Sequence, residues 1–432
     1  MVMRIVADLH IHSKYARAVS RDMTLEKLDA WADDKGITVM GTGDFTHPAW
    51  IAEIQKKLEP AEPGLFKLRD EFKEKTTKGT LAATRFMLTT EVASIYSRGG
   101  RGRRVHNLIF APDVATVLKI NKALSRVGNL KSDGRPIIGI DAEDLLKIVL
   151  DASPRAALVP AHAWTPWFAV FGSMSGFDSL EECFGDNAKH IFAIETGLSS
   201  DPPMNWRLSA LDRVALISNS DAHSLQRIGR EANVFGCELS YDGIIGAIKA
   251  GIPAKNQKSK IKDQNFGSPS INSGNKFLET IEFYPEAGRY HVDGHRACGV
   301  AWTPEETAKH DGVCTTCGGR VTRGTMGRIA ALADRPEGYV DDSRVPFRRL
   351  VPLDDIIGAV LGFGHASKRV QAMYKKLICA FGSELAVVLT VAPHDVAAVA
   401  GDGVAEGVRR VREGKLSITP GYDGEYGKIQ IF

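Results

Sequence analysis

Short apolar runs recur through the first half of the chain, and most of them end beside a residue that can bind a metal or a phosphate. Runs this short are typical of buried strands. Their positions are Arg4–Leu9, Ile37–Thr42, Phe86–Thr90, Val105, Ala156–Ala161, Phe192–Ile194 and Val214–Asn219. Between the runs, apolar residues follow the helical period at Thr24–Lys35, Val114–Ser125, Ala142–Ala152 and Tyr241–Ala250. This alternation predicts a parallel sheet or a closed barrel over residues 1–253.

The residues that follow these runs are mainly histidines and carboxylates. They are His10, His12, Asp44, Glu91, His106, His162, Glu195, Asp221 and His223. In a parallel barrel the C-terminal strand ends converge on one mouth, so we expect these side chains to meet there. One connection differs. The segment between the predicted ligands at 91 and 106 is rich in glycine and arginine and is predicted to be a loop, which makes the barrel irregular.

The ligand types indicate a metal centre with more than one ion. Imidazole and carboxylate together suit zinc, manganese or iron. Such ions polarise a phosphodiester and generate a hydroxide nucleophile near neutral pH. A single histidine would more often be an ordinary core residue, but a set at successive strand ends favours the metal site. We interpret Glu195 as a carboxylate that orients a ligand imidazole.

These motifs resemble the polymerase-and-histidinol-phosphatase (PHP) family of metallophosphoesterases, whose fold is a distorted seven-stranded (β/α)7 barrel. The matching pieces are DLHIHS at 8–13, GTGDFTH at 41–47, TTE at 89–91, His106, PAH at 160–162 and SDAH at 220–223. The resemblance implies that one metal is held by His10, His12, Glu91 and Asp221. It implies that Glu91 bridges to a second metal held by His106 and His162. It implies a third metal at His223 with Asp44 or His47.

The third site departs from the family pattern. Many members carry a histidine directly after Asp44, whereas this chain has Phe45 there and His47 two residues further on. We therefore expect two or three divalent metals, which could be zinc, manganese or magnesium. The catalytic group implied by the resemblance is Asp221, Glu91, His10 and His12.

Two segments near the predicted mouth carry residues suited to nucleic acid. The stretch SRGGRGRR at 97–104 places Arg98, Arg101, Arg103 and Arg104 between two predicted ligands, where guanidinium groups could hold phosphates. The alternative is a solvated surface loop. After His162, Trp164 and Trp167 fall in a proline-containing loop and could stack on a displaced base, although aromatic residues are more often core.

A cysteine cluster indicates a small zinc module at residues 277–330, preceded by a polar linker or mobile loop at 254–276. His295 and Cys298 form an HxxC pair, and Cys314 and Cys317 form a CxxC pair, which together predict a structural Cys₃His zinc site. His291 and His310 compete for the fourth position. The remaining cysteines are isolated and are expected to be core residues in a reducing compartment: Cys183, Cys237 and Cys379.

The C-terminal segment, residues 331–432, is predicted to be a helical DNA-binding domain. Val360–Ala366 and Val399–Ala405 share the pattern apolar-x-Gly-x-Gly-x-Ala between helical segments, which resembles helix-hairpin-helix units. Gly-x-Gly turns of that kind aim backbone N–H groups at a phosphate. The alternative is two ordinary helix connections. Nearby cationic residues are Lys368, Arg369, Arg409 and Arg410.

Composition excludes several classes of protein. The net charge of +3 over 432 residues gives no global basic field, so any binding of nucleic acid must depend on local patches. We recognise no signal peptide and no apolar run of membrane-spanning length, so no membrane partner is expected. Together with the isolated cysteines, this predicts a cytoplasmic protein, associated with the nucleoid if it binds DNA.

Taken together, the chain resembles the endonuclease Q family of DNA repair nucleases. The stretches that carry the resemblance include residues 160–186, 195–203, 217–224, 293–300 and 332–338. It implies cleavage of the phosphodiester bond 5′ to uracil, hypoxanthine, xanthine or an abasic site in DNA. By that function a polymerase sliding clamp is a candidate partner, although no clamp-binding peptide is recognised. The alternatives are a small-molecule phosphatase of the histidinol-phosphate type and a non-catalytic DNA-binding role.

Overall fold

A computed structural model describes residues 2–253 and 274–432 of the protein. The predicted linker at 254–276 therefore lies almost wholly outside the described residues. Within them the architecture is mixed α/β, as expected, with a central sheet covered by helices and followed by further small elements. None of the helices described combines the length and the apolar character that crossing a bilayer needs.

The strands begin and end at the following residues: β1 Val2–Asp8, β2 Val39–Gly41, β3 Leu58–Pro60, β4 Phe66–Leu68, β5 Arg85–Arg98, β6 Arg101–Ala111, β7 Ile137–Ile138, β8 Ala157–Pro160, β9 Ala193–Glu195, β10 Ala215–Ile217, β11 Ala232–Glu238, β12 Lys276–Glu282, β13 Asp293–His295, β14 Val300–Trp302, β15 Phe347–Arg349, β16 Ser417–Thr419 and β17 Lys428–Gln430. The apolar runs of the sequence coincide with β1, β2, β5, β8, β9 and β10, so these strand predictions are confirmed.

The helices begin and end at the following residues: α1 Leu25–Lys35, α2 Pro48–Lys57, α3 Val114–Leu124, α4 Ala142–Ala152, α5 Leu180–Phe184, α6 Pro202–Trp206, α7 Tyr241–Ala250, α8 Pro304–Lys309, α9 Thr325–Leu332, α10 Leu353–Leu361, α11 Lys368–Phe381, α12 Glu384–Leu389, α13 Pro393–Ala400 and α14 Asp402–Arg412. The four helices predicted in the first half are confirmed as α1, α3, α4 and α7. Side-chain caps fix several helix starts, as at Thr24 and Asp113.

Three strands of the central sheet, β4, β6 and β11, run against the predicted all-parallel order, and β4 does so as the antiparallel neighbour of β5. β1, β2 and β5 are parallel neighbours, but β6 is antiparallel to both β5 and β8, and β11 is antiparallel to β1. The prediction of a loop between residues 91 and 106 is wrong, because β5 and β6 form one long hairpin. Gly99 and Gly100, with φ of 61° and 72°, supply the tight turn that this hairpin needs.

The strands surround a single apolar cluster. Alternate residues of β1, β2, β5, β6, β8, β9, β10 and β11 point into it, among them Leu9, Phe110, Val159 and Phe235, all nearly or fully buried. The separate pair β9 and β10 is tied in by hydrogen bonds past the strand ends, from Ala163 N–H to the Glu195 carbonyl at 2.9 Å. This packing turns one end of the strands, where the predicted ligands lie, toward a common mouth.

The later segments are fastened to the sheet and to one another. β12 and β15, from the predicted zinc module and the predicted helical domain, extend the central sheet beside β11. β16 and β17 form a hairpin around residues 421–427, and the Gly421 carbonyl accepts hydrogen bonds from the N–H groups of His291 and Val292. The helices α10–α14 pack against α1 through a buried ion pair between Lys35 and Glu384, whose Nζ and Oε2 atoms are 2.5 Å apart.

Candidate metal centre and nucleic-acid interface

The loops that follow β1 and β10 are joined in a way that brings their ligands together. Buried Asp8 accepts hydrogen bonds from the N–H groups of Ser220 and Gly229, at 3.1 and 2.9 Å. The His12 N–H donates to the Ala222 carbonyl at 3.1 Å, inside a short parallel bridge. These contacts fix the HxH motif, residues 10–12, beside the DxH motif, residues 221–223.

One group of potential ligands consists of His10, His12, Glu91 and Asp221, whose ligand atoms all lie within 4.8 Å of one another. His12 Nε2 is 3.1 Å from Asp221 Oδ1 and 3.2 Å from Glu91 Oε2. His10 Nε2 is 3.6 Å from each of the same two oxygens. The two imidazoles and two carboxylates therefore converge on one point.

A second group consists of Glu91, His106 and His162. Glu91 Oε1 lies 2.7 Å from His106 Nδ1 and 3.0 Å from His162 Nε2. Glu91 thus turns one carboxylate oxygen to each group, which is the geometry of a bridging ligand. His106 and Glu91 reach this position from the middle of the β5–β6 hairpin rather than from strand ends as the sequence suggested.

The residues present fit a metal at this place. Nε2 of His10, Nε2 of His12 and Oδ1 of Asp221 are buried and have no hydrogen-bond partner among the described residues. Buried polar atoms are rarely left unpaired, so three that face one another fit the donor set of a shared cation. Burial would raise the pKa of Glu91 and Asp221, but the neighbouring histidines, and Arg135 beside Glu91, hold both well below their usual range. Ionised carboxylates are the form that binds metal.

A layer of polar residues holds the imidazoles in orientation. The Glu195 carboxylate lies 3.0 Å from His10 Nδ1 and accepts hydrogen bonds from the His162 N–H and the Asn219 side chain, at 2.8 and 2.9 Å. The remaining ring nitrogen, Nε2 of His10, is thereby left facing the centre. Glu195 does not belong to either ligand group, in keeping with the orienting role expected for it.

The residues expected at a third metal are arranged differently. Asp44 Oδ1 is 2.9 Å from His12 Nδ1, and its Oδ2 accepts hydrogen bonds from the Ser13 N–H and hydroxyl groups. Asp44 therefore orients His12, as Glu195 orients His10. His47 stacks on Tyr15, with ring centroids 4.5 Å apart, and His223 packs its ring 4.8 Å from that of His12. The described residues form no third grouping that contains Asp44, His47 or His223.

Backbone strain concentrates at the site. Asp44, His162 and Asp221 have φ of 47°, 28° and 45°, in the left-handed region that non-glycine residues rarely adopt. Such conformations persist only where the surrounding structure enforces them, and they are common at functional sites. At His162 and Asp221 the strained backbone presents a potential ligand, and at Asp44 it presents the carboxylate that holds His12.

The arginines of the β5–β6 hairpin divide into two pairs. Arg98 donates to Glu143 and to the Cys183 carbonyl, and Arg103 is buried with a bond to Glu182. Neither is free to meet a phosphate. Arg101 and Arg104 are exposed, and the Arg104 guanidinium lies 5.6 Å from the Phe168 ring centroid. They remain the candidates for nucleic-acid contact on this hairpin.

The two tryptophans after His162 also differ. Trp164 is fully buried, and its indole N–H donates to Asn205 at 2.7 Å, so it cannot stack on a base in this structure. Of the two interpretations of Trp164, the core position is the one observed, because the loop folds inward against the core. Trp167 is half-buried and meets Tyr290 edge to face, with ring centroids 5.4 Å apart. Phe168 covers His106, with ring centroids 4.7 Å apart.

The predicted structural zinc ligands come together as a separate group of His295, Cys298, Cys314 and Cys317. Burial raises the pKa of the Cys314 thiol, but the N–H groups of Cys317 and Thr316 outweigh it and lower the value to about 7. A thiolate is the form that binds metal. His291 and His310 lie outside the group, and the ring of His310 stacks on that of Trp302 at 4.6 Å.

The two Gly-x-Gly motifs form helix connections, as predicted. Gly362 ends α10 with φ of 71°, and Ser367 caps α11, leaving Lys368 and Arg369 exposed at its first turn. Gly401, with φ of 83°, joins α13 directly to α14. By contrast, Arg409 and Arg410 at the end of α14 are engaged by Glu406, which leaves them less available for DNA.

One residue of the site, Arg135, carried no signal in the sequence analysis. Its Nη1 lies 3.0 Å from Glu91 Oε2, and its side chain is 25% exposed. It belongs to the irregular segment between α3 and β7, so no periodic pattern or strand end marked it. Asp133, two residues earlier, accepts hydrogen bonds from the N–H groups of both Arg135 and Arg17 at 3.1 Å.

One family model and one relative each match a part of the chain. A family model described as the MJ0043 C-terminal domain matches residues 352–415, the helices α10–α14. The protein MJ0043 of Methanocaldococcus jannaschii is 32% identical over 274 residues, or 62% of this chain. The chain spans only about a third of that relative, since the match covers 31% of its length.

Two crystal structures match almost the whole chain. One is the lesion-specific endonuclease PfuEndoQ from Pyrococcus furiosus, 31% identical, with a TM-score of 0.81 over 99% of this chain and 95% of that one. The other is endonuclease Q in complex with a 27-mer duplex substrate that has an abasic lesion at the active site. It is also 31% identical, with a TM-score of 0.81 over 100% of this chain and 97% of that one. With this identity over nearly its full length, the chain belongs to the endonuclease Q family.

Proposed function

We propose that this protein is a DNA repair endonuclease that hydrolyses the phosphodiester bond 5′ to a deaminated base or an abasic site. The base would be uracil, hypoxanthine or xanthine. The observation that carries the proposal is the pair of ligand groups joined by Glu91 at the mouth of the strands. Family membership supports the substrate class, because the related endonuclease Q holds a duplex with an abasic lesion at its active site.

The residues proposed to hold catalytic metals are those of the two groups. His10, His12 and Asp221 would hold one divalent ion, His106 and His162 a second, and Glu91 would bridge them. Zinc, manganese or magnesium would supply Lewis-acid activation of a water and charge stabilisation for the leaving oxygen. His223 remains a candidate for a third ion at the edge of the first group.

The protein's own contribution is positioning. Glu195 and Asp44 hold the Nδ1 atoms of His10 and His12, so that both Nε2 atoms face the substrate side. Hydrolysis would place the water oxygen on phosphorus, break the bond to the 3′-oxygen and deliver a proton to that oxygen. The products would carry a 3′-hydroxyl and a 5′-phosphate.

Recognition of the lesion requires the base to leave the stack, because its identifying edge is otherwise paired. Trp167 and the exposed arginines Arg101 and Arg104 are the side chains proposed to meet the displaced strand. The α10–α11 connection, with Lys368 and Arg369, is proposed to contact backbone phosphates further along the duplex. The cluster of His295 and three cysteines is proposed to hold a structural zinc.

The experiment is a cleavage assay with metal-reconstituted protein on end-labelled duplexes that differ at one position. The duplexes carry uracil, hypoxanthine, xanthine, an abasic site or an undamaged base. A single cut immediately 5′ to the lesion, with no cut in the undamaged duplex, is the expected result. Equal cutting of damaged and undamaged DNA would contradict the repair assignment.

The phosphatase alternative is tested with substrates rather than by truncation. Removing residues 277–432 would take away most of β12, which pairs with β11 in the central sheet, so a truncated protein is not a clean control. Turnover of histidinol phosphate without cleavage of any DNA would favour the phosphatase. It would leave the C-terminal helices without a role.

A further inference from the structure

Arg135 lies against the proposed metal centre without being one of its ligands. Its Nη1 is 3.0 Å from Glu91 Oε2, the same oxygen that lies 3.2 Å from His12 Nε2. That single bond uses one of the five N–H donors of a guanidinium. A quarter of the side chain remains exposed, so the group borders both the buried ligands and the open mouth.

The backbone around Arg135 is fastened to three parts of the site. The Gly134 N–H donates to the Tyr15 carbonyl, in the loop that follows the HxH motif. The Gly134 carbonyl accepts the Thr46 hydroxyl, and the Pro136 carbonyl accepts the Ala93 N–H from the strand that carries Glu91. Arg135 is therefore held in place by the loops that present the ligands.

Gly134 itself has no space for a side chain. A Cβ atom there would lie 2.4 Å from Asp44 Oδ2, the oxygen that binds Ser13. The close approach of backbone to Asp44 is what brings the next residue, Arg135, over the ligand groups. This placement is a built feature of the mouth rather than a chance surface contact.

The charges around Arg135 favour the binding of an anion beside it. A divalent ion held by Glu91 Oε2 and His12 would lie only a few ångströms from the guanidinium, and two cations so close repel each other in a buried site. A shared anion removes the repulsion. A phosphate oxygen between them would contact the ion on one side and take hydrogen bonds from the guanidinium fork on the other.

We propose that Arg135 binds a non-bridging oxygen of the phosphate to be cleaved. The proposal rests on the proposed function, since it assumes that the site handles a phosphodiester. Hydrolysis adds negative charge to the phosphoryl oxygens in the transition state, and a guanidinium in contact with them stabilises that charge. The alternative is a positioning residue that only orients Glu91 for metal binding.

The test compares Arg135→Gln, Arg135→Lys and the control Arg126→Gln in the full chain. Arg126 is an exposed arginine in the same irregular segment. The probes are bis(4-nitrophenyl) phosphate as a small diester substrate and inorganic phosphate as an inhibitor, with metal content and thermal unfolding measured on each protein.

For Arg135→Gln we expect unchanged metal content, phosphate inhibition weakened about 10-fold to 100-fold, and kcat/KM lowered by at least as much. Arg135→Lys should recover only part of the loss, because an ammonium has the charge without the fork. Arg126→Gln should match the wild type. Loss of metal in step with activity, with phosphate inhibition unchanged, would overturn the proposal and leave Arg135 as a positioning residue.

The two proposals fail in different ways. A wild-type protein that hydrolyses the small diester with Arg135-dependent phosphate inhibition, but cuts no lesion duplex, overturns the proposed substrate and not the role of Arg135. A wild-type protein that cuts lesion duplexes while Arg135→Gln does so at the normal rate overturns the role of Arg135 alone.

Discussion

The proposed metal centre at the mouth of the strands and the cysteine cluster use related ligands in opposite ways. His10, His12 and Glu91 are at most 1% exposed, and the potential ligands of this centre are spread along the sequence from residue 10 to residue 221. In the cysteine cluster Cys314 is buried but Cys317 is exposed, and all its ligands lie within residues 295–317. One site is formed by the whole fold, and the other by a short segment.

The contacts that hold the potential ligands also differ between the two sites. At the mouth, Glu195 and Asp44 hold the imidazoles through hydrogen bonds of about 3 Å, so the ligands are arranged by protein contacts alone. In the cluster, by contrast, the residues face one another through longer sulfur contacts, such as the 3.8 Å between Cys317 Sγ and His295 Nδ1. A preorganised site suits chemistry, whereas a metal bound at a local cluster of this kind would itself supply much of the order.

The largest expected effect follows from changing the residue that joins the two mouth groups. Glu91→Gln removes the charge that both groups share, so we expect cleavage to fall on the order of 1,000-fold or more. Thermal unfolding should change little by comparison, because protein contacts hold the site. Single-turnover assays with metal analysis check this. Normal activity would show that cleavage does not depend on a bridge by Glu91 between the two groups.

The cysteine cluster should respond in the opposite way. Cys314→Ser removes a buried ligand, and we expect loss of one bound zinc and local unfolding, on the order of several kcal/mol, around β13 to α9. Limited proteolysis and hydrogen exchange would locate the change, with Cys379→Ser, an exposed cysteine outside the cluster, as the control. A variant as protected as the wild type would argue against a structural zinc.

A smaller effect is expected from the layer behind the mouth ligands. Glu195→Gln keeps the size of the side chain but weakens its hold on His10 and on the His162 N–H. We expect metal affinity to fall about 10-fold to 100-fold, with activity restored by excess metal. Metal titrations followed by calorimetry measure this. If added metal failed to restore activity, Glu195 would have a role other than orienting the ligands.

The smallest effect concerns Glu282, a buried carboxyl that belongs to neither group of potential metal ligands. Burial raises the pKa of Glu282 from 4.5 to about 7, so the folded protein binds this proton more tightly than the unfolded chain does. The stability it contributes is complete below about pH 4.5 and is lost as the pH rises through about 7. Glu282→Gln should therefore be more stable than the wild type at pH 8, by about 1 to 3 kcal/mol.

The control for that prediction is the same comparison at pH 5, where both proteins carry an uncharged side chain. Denaturant unfolding at the two pH values gives the difference directly. An advantage for Glu282→Gln that is equal at both pH values would show that charge is not the cause.

The sequence indicated those potential ligands that belong to short motifs, because such motifs are local. Spacing alone identified His10 with His12, Asp221 with His223, and the HxxC and CxxC pairs. It did not reveal that β5 and β6 form a hairpin, since the turn at Gly99 reads equally well as a loop. A two-glycine turn within a basic stretch gives no periodic pattern from which to extend the strands.

Other features depend on contacts between residues that are distant in the sequence, which the spacing of motifs does not show. A carboxylate such as Asp44 can bind a metal or orient a ligand, and only its hydrogen bond to His12 Nδ1 decides between these roles. The sequence left Trp164 open between an exposed loop position and the core, and the structure places it in the core with its indole N–H bonded to Asn205. Arg135 reaches Glu91 from 44 residues away through an irregular segment.

The central claim is that the metals at the mouth carry out lesion-directed cleavage. The most direct measurement places wild type and Asp221→Asn, both reconstituted with metal, on one end-labelled duplex that contains an abasic site. We predict a single cut 5′ to the lesion by the wild type, lost on chelation and restored by metal, and no cut by Asp221→Asn. Equal cutting by Asp221→Asn, or cutting by metal-free protein, would contradict the account.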